Sequence, residues 1–289
     1  MGMLYIVNAN PAGNITIFVL NAQDFGMRER EEVAKRLLAD KMLRAEQVGF
    51  VTAPEDGGLW RLTMAGGEFC GNAARSFGLF AARKSGLRGR CSVAVEVSGA
   101  PSPITVEADC EAGTAAAALP PPRASGVLPY AGGMLPVYQF DGITHVIAEG
   151  VRPSEAEFWS IKKLFTKRSG GNPAAFGVMF YDTDEELMRP AVYVKATKTL
   201  VFESSCGSGS AAFAYHRLAS NTERSGVIEI RQPGGVITAR LTKHDGLIEQ
   251  IWIGGAVSIS ESFFNLDMPP DGWDRKAKRE AAAMPGLSA

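Results

Sequence analysis

The sequence predicts an α+β protein made of two domains of similar plan. Short β-type segments alternate with helical stretches in both halves of the chain, and a proline- and glycine-rich stretch interrupts the pattern near the middle. A Cys-Gly-polar turn leading into an Ala-rich helical run occurs once in each half, at Cys70 and again at Cys206, 136 residues later. Such an echo is the mark of two related units, each presenting the same turn.

In chain order, Leu4–Asn8, Thr16–Leu20, Ser92–Val97 and Ile104–Ala108 are apolar or alternating runs of strand length. Met27–Asp40 and Asn72–Lys84 are the helical stretches of the same half. Gly113–Ala118, Pro120-Pro121-Pro122 and Gly132-Gly133 follow. Proline fixes φ and removes a donor, so neither a helix nor a central strand is expected to cross this region. The second half offers strands at His145–Ala148, Ala191–Val194, Val227–Ile230, Val236–Leu241 and Ile248–Ile253, with helices at Glu155–Phe165 and Ser208–Ala219. The expected division is residues 1–122 and 123–262. A tail over 265–289 carries Pro269-Pro270 and the charged run Asp274–Glu280, and is expected to be a solvated helix or a frayed end.

Composition narrows the function. Apolar residues make up 46% and charged residues 21% of 289, which is globular, and 30 basic against 31 acidic residues leave a net charge of −1. No basic footprint for nucleic acid or an acidic membrane surface is present. Apolar runs such as Ile15–Leu20 fall far short of the roughly 18 residues that a membrane helix needs. The start has no basic region of the signal-peptide kind, and Ile6 stands where a myristoylation signal wants Ser or Thr. Four cysteines in a chain of this size are no disulfide scaffold, so a cytoplasmic protein with reduced thiols is expected.

The chemistry is concentrated in Gly66-Gly67-Glu68-Phe69-Cys70-Gly71-Asn72-Ala73-Ala74-Arg75 and Glu203-Ser204-Ser205-Cys206-Gly207-Ser208-Gly209-Ser210. A Cys at a helix start lies at the positive end of the helix dipole, which favours thiolate. The free N–H groups of Gly71-Asn72 and Gly207-Ser208 suit an anion such as a carboxylate. Two such turns facing one another fit inversion at a carbon beside a carboxylate. One thiolate removes the α-proton, and the opposite thiol delivers a proton to the other face. No cofactor is expected, because neither a Gly-x-Gly-x-x-Gly nor a Walker pattern sits at a strand-to-helix turn. No metal is expected either: there is no C-x-x-C, and His145, His216 and His244 lack ligand spacing. Cys91 and Cys110 are taken as core filling, as are Phe77, Phe80 and Phe213, and Arg75 as a helix-surface residue or structural ion pair. A disulfide between Cys70 and Cys206 would be an oxidised, inactive form.

On these residues the chain resembles the diaminopimelate epimerase superfamily of cofactor-independent, two-cysteine racemases and epimerases. Asn10-Pro11-Ala12-Gly13-Asn14 looks like the opening loop whose Asn contacts substrate, and the two cysteine turns match the catalytic turns. Gly142-Ile143-Thr144-His145, Pro233-Gly234-Gly235-Val236 and Gly254-Gly255-Ala256 match further landmarks, so the likeness spans Met3 to Ser262. It implies two pseudo-symmetric domains, each a β-barrel-like sheet around a central helix, with the active site in the cleft between them. A last strand from about residue 257 would return to the first domain. It further implies Cys70 and Cys206 as acid/base pair, Asn14, Gly71, Asn72, Gly207 and Ser208 as substrate-binding residues, an amino-acid substrate, and a homodimer.

The departures bear on substrate. Diaminopimelate epimerases carry a Glu-Arg pair about nine residues before the second cysteine and an Asn-Ala-Asp-Gly stretch before the first. This chain has Ala196-Thr197-Lys198-Thr199 and Trp60-Arg61-Leu62-Thr63 in those places, and Ile143 where an Asn is expected. The segments ending in Cys70 and Cys206 look more like histidine racemases that supply D-histidine to opine-type metallophores. Glu68 and Glu203, just before their cysteines, are expected to meet the substrate ammonium or hold one sulfur protonated, or equally to be exposed turn charges. The alternatives are a diaminopimelate epimerase with a clamp from Arg61 and Lys198, or a non-catalytic amino-acid-binding or redox-sensing protein on the same fold.

Overall fold

The computed structural model describes residues 2–23, 25–219, 225–245 and 247–266, so the expected tail lies outside the described residues from 267 onward. Seventeen strands and four helices are present among them. All four expected helices form: α1 Met27–Ala39, α2 Gly71–Lys84, α3 Glu155–Ser169 and α4 Gly207–Leu218. Their starts follow from local chemistry. The Ser154 hydroxyl accepts from the Glu157 N–H, and the Glu29 carboxylate accepts from the Gly26 N–H. α3 runs four residues past Phe165 and stops where Gly170 turns left-handed, φ 66°.

The two halves of the chain pass through the same sequence of pairings. In the first, β1 (Gly2–Asn10) is antiparallel to β2 (Thr16–Val19), and α1 carries the chain over to β3 (Gln47–Thr52), parallel to β2. β4 (Arg61–Met64) returns antiparallel to β3, and α2 carries over to β5 (Arg90–Val97), parallel to β4. β6 (Ile104–Asp109) and β7 (Thr114–Leu119) then follow antiparallel. After β8 (Ala124–Tyr130), the second half repeats this order. β9 (Gly133–Gln139), β10 (Ile143–Glu149), α3, β11 (Ala175–Asp182), β12 (Leu187–Val194) and β13 (Thr199–Phe202) lead to α4. β14 (Ser225–Gln232), β15 (Gly235–His244) and β16 (Leu247–Ala256) complete it. Each parallel step has a helix in its connection, as parallel strands require. β16 lies antiparallel to β7 and joins the halves, and β17 (Ser258–Leu266) runs along the whole of β1.

α2 packs on β5, β6 and β7, and α4 on β15, β16, β10 and β11. Both are buried along most of their length, whereas α1 and α3 bury only one face. Phe77, Phe80 and Phe213 are in the core, as expected.

The Ala-rich run expected to break the fold is β7, a strand flanked on both sides by β6 and β16. Alanine is a poor strand former, but here smallness is the requirement. A Cβ on Gly254 of β16 would already lie 3.0 Å from the Ala116 Cβ, so larger residues would force the strands apart. The three prolines do end β7, and Gly132-Gly133 turns the β8–β9 hairpin. β11 has no counterpart among the expected strands because its first six residues are all buried and show no alternation. No described helix is long and apolar enough to cross a membrane.

Gly78 lies where α2 crosses β6, and a Cβ there would come within 2.5 Å of the Val106 Cβ. Gly78→Ala is therefore expected to destabilise the protein by about 1–3 kcal/mol through overpacking, despite alanine's better helix propensity. A lowered urea midpoint with unchanged m-value, partly restored by adding Val106→Ala, is the expected measurement.

Candidate active site

Cys70 is the N-cap of α2 and Cys206 the N-cap of α4, with near-identical backbone angles (φ −127°, ψ 112° and φ −128°, ψ 115°). The two helix starts touch. A Cβ on Gly207 would stand 2.8 Å from the Asn72 nitrogen and 3.1 Å from the Gly71 carbonyl carbon. Ile253 of β16 fills the space beside them, its Cδ1 only 2.6 Å from where either glycine would carry a side chain. Glycine after each cysteine is thus a condition of the close approach. First-turn N–H groups have no partner inside their own helix, so two such sets converge here.

Both cysteines line one narrow pocket, together with Asn14, Gln47, Glu68, Ile143, Glu203, Gly207 and Ser208. A second pocket shares Gln47, Glu68 and Glu203 and reaches Glu46, Thr197 and Thr199. The sequence-predicted residues therefore meet at one place, although Gly71 and Asn72 stand behind the wall. Gln47, Glu46, Gln232 and His145 belong to the site without having been singled out for it. Gln47 accepts from the Cys70 thiol at 3.0 Å. Gln232 accepts from the Cys206 N–H at 2.8 Å and donates to Ser210 Oγ at 2.9 Å. His145 Nε2 is 2.8 Å from Ser208 Oγ, itself 3.7 Å from Cys206 Sγ. Gln47 and Gln232 lie on strands far from either cysteine in sequence, so only the fold brings them in.

The electrostatics correct the expectation of a resident thiolate. Burial, and next the Glu203 charge, push the Cys70 thiol up to about 12. The same two causes raise Cys206 well above its ordinary value. Desolvation outweighs the helix dipoles while the pocket holds no counter-charge. Burial also lifts Glu203 to about 8 and raises Glu68, whose Oε2 is enclosed without a hydrogen-bond partner. Neither glutamate is the free surface charge that a turn position offers. Burial holds His145 down to about 3, so its ring is neutral.

A chain of hydrogen bonds ties the two turns to the opening loop. Asn72 Nδ2 donates to the Ser205 carbonyl (3.2 Å), to Ser205 Oγ (3.1 Å) and to Asn14 Oδ1 (3.2 Å). Asn14 Nδ2 donates to Glu46 at 2.7 Å, and Glu46 accepts from the Ser204 N–H at 3.1 Å and from its hydroxyl. Asn14 is thus an anchor of the second turn as well as a pocket residue. Arg75, expected on the helix surface or in an ion pair, is 0% exposed and has no salt bridge among the described residues. Its position on α2 turns it inward, where Nε donates to Asn72 Oδ1 at 3.1 Å and Nη1 to the carbonyls of Gly255 and Ala256.

Of the remaining expectations, Cys110 is buried but Cys91 only half-buried, so core filling holds for the first alone; their sulfurs are 3.9 Å apart. All four cysteines are free, and no metal-ligating group of His, Cys, Asp or Glu occurs among the described residues. Arg61 is bound to Glu55 at 3.0 Å and Glu96 at 3.1 Å, and Lys198 is exposed at the tip of the β12–β13 hairpin. Neither lines these two pockets, and no other Lys or Arg among the described residues does.

The sequence model of the histidine racemase CntK N-terminal domain matches residues 3–262. A histidine racemase of Fusobacterium nucleatum subsp. nucleatum is 31% identical over 264 residues, covering 89% of this chain and 95% of its own. That of Staphylococcus aureus is 28% identical over 272 residues, covering 86% and 92%. Among solved structures, a hydroxyproline epimerase from Agrobacterium vitis with bound trans-4-hydroxy-L-proline superposes with a TM-score of 0.62 at 14% identity, covering 92% of this chain and 93% of that one. A probable proline racemase from Agrobacterium radiobacter gives 0.61 at 16% identity and 95% of each chain. At these identities the structures show a shared fold.

The raised Glu203 carboxyl has a consequence for stability. From about pH 4.5 to 8 the folded protein holds a proton there that the unfolded chain releases, so stability falls as pH rises across that window. The ligand-free protein is expected to lose Tm between pH 5 and 8, and Glu203→Gln to flatten that slope, as followed by thermal melts.

Proposed function

Because the chain belongs to the family of the histidine racemase CntK N-terminal domain, we propose that it racemises free histidine with Cys70 and Cys206 as an acid/base pair. It is an isomerase of the amino-acid racemase and epimerase class. The observation that carries the mechanism is the meeting of two cysteine-capped helix starts on one pocket. In this proposal the substrate carboxylate lies against the N–H groups of Gly207 and Ser208 on the pocket wall, with those of Gly71 and Asn72 just behind it, and one sulfur on each face of Cα. One sulfur, as thiolate, takes the α-proton; the other, as thiol, gives its proton to the opposite face. The carbanion is never free, and the protonation states of the two sulfurs end exchanged. The cradle stabilises the charge that builds on the carboxylate.

Ligand binding answers the raised thiols. The substrate ammonium, placed against Glu203 and Glu68, cancels the charge that opposes a thiolate, and the helix starts then act on the sulfur unopposed. The same acidic wall, with Gln47 as an acceptor, suits an imidazole N–H. Diaminopimelate would bring its distal carboxylate against Glu68 and Glu203 with no Lys or Arg in the lining to meet it. We take residues 1–122 and 123–262 as two pseudo-symmetric domains closing on the substrate, which the repeated order of pairings supports.

Incubation with single L-amino acids and diaminopimelate in deuterium oxide, followed by chiral chromatography and mass spectrometry, tests this. D-Histidine carrying one deuterium at Cα is expected; meso-diaminopimelate, or no inversion of any substrate, would sink the assignment. Cys70→Ser and Cys206→Ser should each lower kcat by on the order of 10²–10⁴-fold, because a hydroxyl is a poor base at neutral pH.

A further inference from the structure

Arg75 is among the largest fully buried side chains of the protein, and its environment is unusual for a cation. It sits near the start of α2, where the helix dipole is itself positive, and no carboxylate lies within salt-bridge distance among the described residues. Nη2 has no hydrogen-bond partner, and burial lowers the guanidinium to about 10. An isolated buried charge is costly, so something must make the position worthwhile. The charged groups on neighbouring elements are mostly committed elsewhere. Glu96 of β5 is held by Arg61 and three backbone N–H groups, Glu107 of β6 by Arg240, and Glu261 of β17 by Lys84 and Tyr5. The titratable groups that line the two pockets are Cys70, Cys206, Glu68, Glu203 and Glu46.

The hydrogen bonds from Arg75 lead to that group. Nε donates to Asn72 Oδ1, Asn72 Nδ2 donates to Asn14 Oδ1, and Asn14 Nδ2 donates to Glu46. A guanidinium only donates and a carboxylate only accepts, so the two amides between them are forced to align head to tail. The site thus stands between a cation and an anion joined by two oriented dipoles. Its lining offers glutamates but no Lys or Arg, and every glutamate charge there opposes a thiolate. We propose that Arg75 is a positioning residue whose buried charge, carried through Asn72, offsets the negative charge passed between the sulfurs and the substrate. This rests on the two-thiol reading.

The test is the pH profile of kcat, which reports the substrate-bound enzyme, for wild type, Arg75→Gln and Arg75→Lys, with folding checked by circular dichroism. Glutamine keeps an N–H for Asn72 without the charge, so the ascending limb should move up by about one pH unit. Lysine keeps the charge at low pH, so its ascending limb should stay at the wild-type position. A buried lysine loses its proton as pH rises, whereas arginine does not. Arg75→Lys should therefore show a new loss of activity in the alkaline range. An unmoved limb in Arg75→Gln, or an Arg75→Lys profile that only scales the wild type, would overturn the proposal and leave Arg75 a brace. The lysine variant decides alone if the glutamine variant does not fold. Loss of activity in Cys70→Ser and Cys206→Ser is read separately, so failure of the two-thiol mechanism cannot be mistaken for failure at Arg75.

Discussion

Everything distinctive about this molecule follows from two helices that meet at their N-terminal ends. Like ends of helix dipoles repel, and free N–H groups there need partners. The fold nevertheless forces the ends together, because β16 packs on both helices and lies beside both glycines through Ile253. The result is a concentration of positive potential, to which the buried Arg75 guanidinium adds from behind Asn72. Such a place is unfavourable when empty and favourable around an anion, which is what a carboxylate-binding site requires.

Against that potential the protein sets burial and acidic side chains. Burial, and next the Glu203 charge, raise both thiols above their ordinary value. In the proposed reaction the same groups that raise the thiols attract the substrate ammonium, and in being neutralised they stop opposing a thiolate. Under that proposal, reactivity tied to substrate binding protects two thiols that would otherwise invite oxidation.

Much of this was legible in the sequence because it is local. A cysteine followed by glycine and a helical run specifies an N-cap, and its recurrence marks Cys70 and Cys206 together with Gly71, Asn72, Gly207 and Ser208. What stayed hidden depends on distant packing. The alanines of β7 look like a linker until Gly254 lies across from them. Arg75 looks like a surface residue because arginine in a helix usually is one, and nothing nearby in sequence announces the carbonyls of Gly255 and Ala256. Gln47 and Gln232 carry no signal at all, since a lone amide becomes meaningful only beside a sulfur or its N–H. The helix dipole favouring thiolate was sound physics applied without knowing the burial.

The single methyl of Ile253 that touches both turns has one more implication. Because its Cδ1 is the same 2.6 Å from either would-be side chain, it works as a spacer gauge: whatever widens one side widens the other. A change in this packing therefore reaches both cysteine turns at once. Mirror-image molecules have equal free energies in an achiral solvent, so in the proposed two-thiol reaction an uneven pair would gain nothing, and a shared gauge suits it.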